Sequence, residues 1–287
     1  MDADFHLAVI IPAAGRGRRF GQGPEAKLEA DLGGRAVLLR TVELFSHFAQ
    51  VHQVIVAVDP DTIDTFKFKW ADRLGLLQVR IVPGGTQERW ETVMRALEAV
   101  DEGITHVAVH DAVRPLASAD MLNRLFEAAC HYPAVIPTLT VSDTVKRVDP
   151  APAAAEAPKK ADPLDAILGD AGKVNFQAHP VIEHVPREGL HLVQTPQVFA
   201  LDTLRSAYAQ VESGAVDPAG LTDDAAIVQA SGQAVVAVEG DPLNIKITAP
   251  PDLEFARAVF QLRSGSAGSG ALGPKRKFPT WAESEDD

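Results

Sequence analysis

Four basic side chains lie in a glycine-rich stretch near the N-terminus, directly after an apolar run. In residues 9–27, VIIPAAGRGRRFGQGPEAK, the basic residues are Arg16, Arg18, Arg19 and Lys27, and the glycines are Gly15, Gly17, Gly21 and Gly23. Glycine lets backbone N–H groups approach an anion closely because no Cβ intervenes. The cations add the charge needed to hold several phosphates. The stretch therefore predicts a binding site for a polyanion such as a nucleoside triphosphate.

This loop does not fit two other phosphate-binding patterns. A Walker loop needs Gly-Lys followed by Ser or Thr at the start of a helix, and the stretch has no such triplet. A dinucleotide fingerprint needs a third glycine where Phe20 stands, and the arginines exceed what a diphosphate needs. A triphosphate fits better, and the alternative is a plain surface loop with solvated arginines.

Composition makes the basic cluster informative. The chain has 287 residues and a formal net charge of -12, which argues against a general nucleic-acid binder because such proteins carry a basic face. The single cysteine, Cys130, excludes an internal disulfide and a thiolate metal cage, and the nine histidines show no zinc-ligand spacing. With no signal-peptide pattern and no apolar run of about 20 residues, we expect a cytoplasmic protein with no membrane or nucleic-acid partner.

The first half of the chain alternates between strand-like and helical segments. The β-branched runs are HLAVIIP, QVIVAVD, VRIVPGG, HVAVHD and PAVIPTLTV. Between them, residues such as Leu38, Val42 and Phe45 recur at helical spacing. Strands that are apolar nearly throughout predict a doubly wound, mostly parallel α/β sheet covered on both faces. In such folds ligands bind beyond the carboxyl ends of the strands, so the residues that follow each strand are the candidates for chemistry.

The second half predicts an excursion and a return to the same domain. The alternation breaks at about residues 142–189, where DPAPAAAEAPKKADP is typical of a flexible segment. The helices predicted after it are LDTLRSAYAQV, TDDAAIVQASG and PPDLEFARAVFQL, and the strands are QAVVAVEG and LNIKIT. We therefore expect a single domain over residues 1–263. The Gly/Ser-rich and then charged residues 264–287 are expected to form a disordered tail.

Two further groups of polar residues follow predicted strands. Gly85, Arg89 and Thr92 come after VRIVP, at the start of a helix where free N–H groups can meet an anion or a base edge. A purely capping role is the alternative there. Asp111 ends a buried strand, where an unpaired carboxylate is costly, so it suits Mg²⁺ or a substrate hydroxyl, with Arg114 nearby for phosphate. An ion pair between these two residues that closes a loop is the alternative.

Five motifs together resemble one enzyme family. PAAGRGRRFG, VHDAVRP, TPQVF, LTDDA and NIKIT, in this order, are similar to motifs of the 2-C-methyl-D-erythritol 4-phosphate cytidylyltransferases of the non-mevalonate isoprenoid pathway. The resemblance covers about residues 6–262. It implies a nucleotidyltransferase-type, Rossmann-like sheet with a protruding dimerisation arm. It also implies that CTP and methylerythritol phosphate react, with Mg²⁺, to give pyrophosphate and a cytidylyl diphosphate product.

The resemblance assigns roles to individual residues. It makes Arg19 and Lys27 the catalytic cations that grip the α-phosphate, although the chain reads PEAK up to Lys27 where the family usually has Pro-Lys. The implied nucleotide contacts are Ala13, Ala14, Gly15, Gly17, Gly85, Arg89 and Thr92. The implied substrate contacts are Asp111, Arg114, Thr144, Arg187, Thr195, Thr222 and Lys246. Asp111 is also the candidate Mg²⁺ ligand, together with the CTP phosphates.

The excursion at residues 142–189 corresponds to an arm that, in this family, reaches across a homodimer and completes the neighbour's site. By resemblance, Arg187 and Lys246 bind the phosphate group of methylerythritol phosphate, and Arg187 serves the partner subunit. From the sequence alone, Lys246 between two isoleucines is equally well a strand residue that faces solvent.

Three alternatives stay open. A ribitol 5-phosphate cytidylyltransferase has a similar loop and a similar HDAVRP motif, and the sequence does not place the second cationic set in space. A non-catalytic nucleotide-binding protein of the same fold is favoured by the departure before Lys27 and by the long insert. A nicotinamide-dependent dehydrogenase would use Asp59, at the end of VIVAVD, to hold a ribose, but the irregular and strongly basic loop argues against it.

Overall fold

The structure, a computed structural model, describes residues 5–14, 26–86, 88–152 and 177–268. Its strands are β1 (Leu7–Pro12), β2 (Val51–Val58), β3 (Val79–Pro83), β4 (His106–Val109), β5 (Ala134–Thr140), β6 (Val145–Val148), β7 (Val181–Val185), β8 (His191–Val193), β9 (Gln197–Ala200) and β10 (Val236–Glu239). Its helices are α1 (Ala26–Glu29), α2 (Val37–Glu43), α3 (Ile63–Gly75), α4 (Arg89–Leu97), α5 (Ala119–Ala129), α6 (Leu201–Glu212), α7 (Asp224–Ala230) and α8 (Pro250–Gly268). They form two compact units, one of residues up to Pro137 and from Gln194 onward, the other of Thr138–Val193.

The larger unit is built on a mixed sheet with the strand order β10-β5-β9-β4-β1-β2-β3. Strand β1 pairs in parallel with β2 and β4, and β2 pairs in parallel with β3. Strand β9 runs antiparallel to both β4 and β5, between which it is inserted. The predicted doubly wound, mostly parallel sheet is confirmed, but the pattern did not predict that β9 runs antiparallel between β4 and β5.

Helices cover both faces of this sheet. Along β1, Leu7, Val9 and Ile11 pack in one apolar cluster with residues of α2, α3 and α5. The alternate residues Ala8 and Ile10 pack in a second cluster with residues of α4, α6 and α7. Side chains alternate between the two faces of a strand, so a strand that is apolar throughout needs an apolar layer on each side. This arrangement leaves the carboxyl ends of the parallel strands as the edge where loops can carry polar groups.

Two predictions of secondary structure differ from the structure. The LNIKIT segment forms no regular strand; instead the backbone N–H of Ile247 donates to the carbonyl of Val113 at 2.9 Å, in the loop that follows β4. The strand prediction for this segment was therefore wrong: its buried apolar residue, Ile247, packs in an apolar cluster with residues of α8 and bonds to a loop rather than to a neighbouring strand. Helix α8 continues to Gly268, into the tail that we predicted to begin at Ser264.

The smaller unit, Thr138–Val193, contains an antiparallel hairpin of β6 and β7. Its β8 pairs antiparallel with residues 138–140 of β5. Most of the Ala/Pro-rich insert lies outside the described residues. Several large apolar side chains of this unit are exposed: Val148, Val181, Ile182, Leu190, Leu192 and Val193. In the described part of the chain, no helix combines the length and the apolar composition that crossing a membrane requires.

Candidate active site

One carboxylate with three cations around it lies just beyond the carboxyl end of β4. The Oδ2 atom of Asp111 is 3.0 Å from Arg114 Nε and 3.0 Å from Lys246 Nζ. Its Oδ1 atom is 3.9 Å from Arg89 Nε. These residues come from distant segments of the chain, and the carboxylate connects them. The contacts place together four of the residues predicted to form the site.

The charged side chains of this cluster carry a net positive charge. Burial by itself raises the pKa of Asp111, but the positive charges of Lys246, Arg89 and Arg114 outweigh burial and hold that pKa well below its ordinary value. Asp111 is therefore ionised near neutral pH. One further carboxylate, Asp224, offsets part of the charge of Arg89. The Lys246 side chain is 45% exposed, so this excess of positive charge is accessible to an anionic ligand.

Arg89, the first residue of α4, is held between two carboxylates. Its Nη1 atom lies 2.6 Å from Oδ2 of Asp224, whose side chain is completely buried. Tyr208 Oη donates to the other oxygen of Asp224 at 2.5 Å. Burial by itself lowers the pKa of Arg89, but Asp224 and Asp111 raise it above its ordinary value. The guanidinium thus stays charged and has one orientation.

The turn before α4 leaves no room for a side chain at its two glycines. A Cβ on Gly85 would lie 2.3 Å from Glu91 Cβ, and one on Gly84 would lie 2.6 Å from Thr92 Cγ2. The Gly85 N–H donates to Thr92 Oγ1 at 3.1 Å, and the Thr92 side chain is buried. Glu88, with Glu91, forms the capping box of α4. The structure gives Thr92 a local role, and its predicted nucleotide contact, like that of Gly85, stays a prediction.

Thr195 lies against the backbone of Asp111. Its Oγ1 atom accepts the Asp111 N–H at 3.0 Å and is 3.1 Å from Nδ1 of His110. The Thr195 carbonyl accepts from the amide of Asn244 at 2.8 Å, and the Asn244 carbonyl accepts from Arg114 Nη1 at 2.7 Å. Lys246 follows two residues later. This network holds the segment that carries Lys246 against the loop that carries Asp111 and Arg114.

The other predicted site residues lie in several different elements or outside the described residues. Ala13 and Ala14 directly follow β1, and the Ala13 N–H donates to the carbonyl of Ala57 at 2.7 Å. Lys27 is half-buried in α1, and Thr222 is exposed just before α7. In the smaller unit, Thr144 and Arg187 are exposed, and Arg187 donates to the carbonyl of Ser142. Gly15, Gly17 and Arg19 lie outside the described residues.

Comparison with known proteins identifies the family. The family model of 2-C-methyl-D-erythritol 4-phosphate cytidylyltransferase (IspD) matches residues 7–168 and 153–262. The chain belongs to this family. The enzyme of that name from Frankia casuarinae is 38% identical over 255 residues, 88% of this chain and 81% of the relative. The one from Streptomyces avermitilis is 37% identical, over 89% of this chain and 92% of the relative.

A solved structure from the family agrees with the fold. The crystal structure of the 2-C-methyl-D-erythritol 4-phosphate cytidylyltransferase from Thermus thermophilus matches with a TM-score of 0.63 at 32% identity, over 89% of this chain and 99% of that chain. The family and the fold predicted from five short motifs are thus confirmed. Those motifs include VHDAVRP and NIKIT, and the structure brings their charged residues together at Asp111.

Two residues of the site were missed by the sequence analysis. Asp224 binds Arg89 and Tyr208 donates to Asp224, yet the sequence analysis assigned a role to neither Asp224 nor Tyr208. The motif has two adjacent acids, and in the structure Asp223 caps α7 by accepting from the Ala226 N–H. No local pattern shows that the second acid is buried or that Arg89 is its partner.

A Mg²⁺ at this cluster would depend on oxygen ligands that arrive with the nucleotide. Within the residues that the structure describes, no group of three or more His, Cys, Asp or Glu side chains could hold a metal ion by itself. Asp111 offers one carboxylate at the cluster. Mg²⁺ is commonly bound by one or two carboxylates together with substrate phosphates, so a metal carried by a triphosphate would take at most one protein carboxylate here, whose oxygens already face three cations.

His110 is expected to make stability depend on pH. Burial lowers its pKa to about 4 from an ordinary 6.5. Between these two pH values the ring is protonated in the unfolded chain and neutral in the folded chain. The stability from the neutral ring is complete above pH 6.5 and is lost as the pH falls toward 4. Linkage predicts a loss of about 2 kcal/mol between pH 7 and roughly pH 4.5.

Urea unfolding of the wild type and of His110→Gln at both pH values measures this loss. Asp111 does not interfere, because its lowered pKa makes its contribution disappear only below the ordinary aspartate pKa of 3.8. The wild type should lose about 2 kcal/mol more than the variant between the two pH values. Equal losses in the two proteins would contradict a neutral, buried His110.

Proposed function

We propose that this chain transfers CMP from CTP to 2-C-methyl-D-erythritol 4-phosphate and releases pyrophosphate. The observation that carries the proposal is the cluster of Arg89, Arg114 and Lys246 around Asp111, at the carboxyl end of β4 in a member of this family. A site with excess positive charge suits a sugar phosphate. A cytoplasmic location, expected from the sequence, is part of the proposal.

The reaction is an in-line displacement at the α-phosphorus of CTP. A phosphate oxygen of the acceptor forms a new P–O bond, and the bond from the α-phosphorus to the oxygen that leaves with pyrophosphate breaks. Both reactants are anions, and the reacting centre concentrates charge. Positioning and cationic stabilisation therefore supply most of the catalysis, and no covalent intermediate is needed.

The predicted residues divide between the two substrates. Arg19 and Lys27 would stabilise the α-phosphate as charge develops, and Ala13 and Ala14 would lie along cytosine and ribose. Lys246 and Arg187 would bind the acceptor phosphate, with Arg114 close to it; a point-charge ammonium and planar guanidinium groups suit that task. Thr144 and Thr222 would complete the acceptor site. Mg²⁺, held by the CTP phosphates with Asp111 as its predicted protein ligand, would neutralise phosphate charge.

Pyrophosphate release with each acceptor tests the function. With CTP and Mg²⁺, methylerythritol phosphate should support release and ribitol 5-phosphate should not. Release with ribitol 5-phosphate but not with methylerythritol phosphate would assign the chain to the alternative acceptor. Binding of CTP with no release for either acceptor would support a non-catalytic nucleotide-binding protein and would contradict the proposal.

We further propose that two copies of the chain form a homodimer through the smaller unit. Its hairpin exposes Val148, Val181 and Ile182, and Leu192 of β8 is also exposed. Exposed large apolar side chains concentrated in one small unit favour an interaction surface. If the arm of each copy completes the neighbour's site, Arg187 acts on the acceptor bound to the partner.

A complementation experiment tests this exchange. Lys27→Ala and Arg187→Ala should each abolish most activity as homodimers. A heterodimer of the two, isolated with two affinity tags, should recover about half of wild-type activity because one of its two sites then contains both intact residues. If Arg187 acts within its own subunit, both sites of the heterodimer carry a defect and activity stays at the level of the homodimeric variants, which would contradict arm exchange.

A further inference from the structure

His110 links two parts of the loop that carries the charged site residues. Its Nε2 atom lies 3.0 Å from the carbonyl oxygen of Arg114. Its Nδ1 atom lies 3.1 Å from Oγ1 of Thr195, and that oxygen accepts the backbone N–H of Asp111 at 3.0 Å. The ring is completely buried. One imidazole thus connects to the backbone of both Asp111 and Arg114.

The partners determine where the protons lie. A carbonyl can only accept, so the tautomer that satisfies the Arg114 carbonyl carries its hydrogen on Nε2 of His110 and donates it to that oxygen. Thr195 Oγ1 already accepts from Asp111, and its own proton can point to Nδ1, which is an unprotonated acceptor in this neutral tautomer. The Nδ1–H tautomer would place a nitrogen lone pair against the Arg114 carbonyl. Complete burial disfavours the imidazolium.

We propose that His110 and Thr195 act as one positioning unit that holds Asp111 and Arg114 in the geometry needed to bind the acceptor phosphate. This inference rests on the proposed function and assigns Thr195 a role through Asp111 rather than through direct substrate contact. Asp111 and Arg114 would touch the substrate, whereas His110 and Thr195 would fix the backbone that carries them. A displacement of about 1 Å in such groups can cost about a hundredfold in rate.

Two variants break the link between His110 and Thr195, one at each residue. His110→Phe keeps an aromatic ring beside Phe45 but leaves the Arg114 carbonyl and the Thr195 hydroxyl without this partner. Thr195→Val keeps the volume and removes the hydroxyl. Each should lower kcat/KM for methylerythritol phosphate by about 10- to 100-fold, with the KM for CTP changed less than threefold or so. Thr195→Ser keeps the hydroxyl and should restore most of the activity.

The double variant tests whether the two residues act together. If they form one unit, His110→Phe combined with Thr195→Val should be no worse than the poorer single variant, because the linkage is already broken. Phe45→Leu is the matched control: the Phe45 ring packs edge-on against His110 with centroids 5.2 Å apart and makes no hydrogen bond to it. It should lower the unfolding temperature without changing the KM for methylerythritol phosphate.

A spectroscopic measurement is independent of activity. Long-range ¹H–¹⁵N correlation spectra of ¹⁵N-histidine-labelled protein, assigned by comparison with His110→Gln, report the tautomer of each ring. We expect the Nε2–H tautomer for His110 at pH 7. The Nδ1–H tautomer would overturn the inference, as would strictly additive kinetic effects of the two variants. A wild type that does not transfer CMP would contradict the proposed function but leave this spectrum unchanged.

Discussion

Replacing Asp111 with asparagine is expected to lower kcat/KM for methylerythritol phosphate about a thousandfold. The asparagine keeps the shape of the side chain but removes the charge that holds Lys246 and Arg114, each 3.0 Å from the carboxylate. The NH₂ group of the asparagine can also face Lys246 and Arg114, and these side chains offer it no hydrogen-bond acceptor. The KM for the acceptor should rise more than the KM for CTP, since both cations are proposed to lie at the acceptor phosphate.

Asp101→Asn is the matched control for this experiment. Asp101 pairs with Arg80 at 3.1 Å, but both side chains are more than half exposed, and such pairs contribute about 0–1 kcal/mol to stability. The control should keep wild-type kinetics. Steady-state kinetics with each substrate varied, together with urea unfolding, separates lost positioning from lost folding. An Asp111→Asn enzyme with more than about a tenth of wild-type activity would contradict the central position given to this carboxylate.

Replacing Asp224 with asparagine should lower the free energy of unfolding by about 3–5 kcal/mol. The Asp224 carboxylate is completely buried and bonds Arg89 at 2.6 Å, so the change leaves a largely buried guanidinium without its main counter-charge. Arg89 would lose its orientation, and turnover should fall as well. Tyr208→Phe removes only the hydroxyl that bonds Asp224 and should cost about 1–3 kcal/mol.

The neighbouring acid supplies a close control. Asp223 caps α7 and accepts from Gln197 at 2.7 Å, and asparagine caps a helix as well as aspartate does. Asp223→Asn should therefore cost less than about 1 kcal/mol. Denaturant unfolding of both variants, followed by pyrophosphate release, makes the comparison. Equal stability of Asp224→Asn and Asp223→Asn would contradict the structural role assigned to the buried pair.

The sequence predicted the fold class because its signals are local. The strand formed by residues 7–12 is apolar throughout and is followed by glycines, which indicates a buried parallel strand before a ligand loop. Asp111 and Arg114 were predicted for the same reason, since they directly follow such a strand. The insertion of β9 between β4 and β5 was not predicted, because the pairing of strands distant in sequence leaves no local pattern.

Local pattern also explains what was wrong or missed near the site. Lys246 was assigned to the site by resemblance, but its isoleucine neighbours wrongly predicted a strand, whereas it lies in a loop where Asp111 binds its ammonium. Asp224 belongs to a helix start, and its partner Arg89 is 135 residues away in sequence. Burial and pairing of this kind arise only when the tertiary structure brings the segments together.

The fate of labelled CTP tests the central claim most directly. With [α-³²P]CTP, Mg²⁺ and methylerythritol phosphate, the wild type should transfer the label to a polyol diphosphate product. One pyrophosphate should be released per label transferred, only when the acceptor is present, and both Arg19→Ala and Lys27→Ala should abolish the transfer. Label that stays in CTP or appears as free CMP in the wild-type reaction would contradict the account.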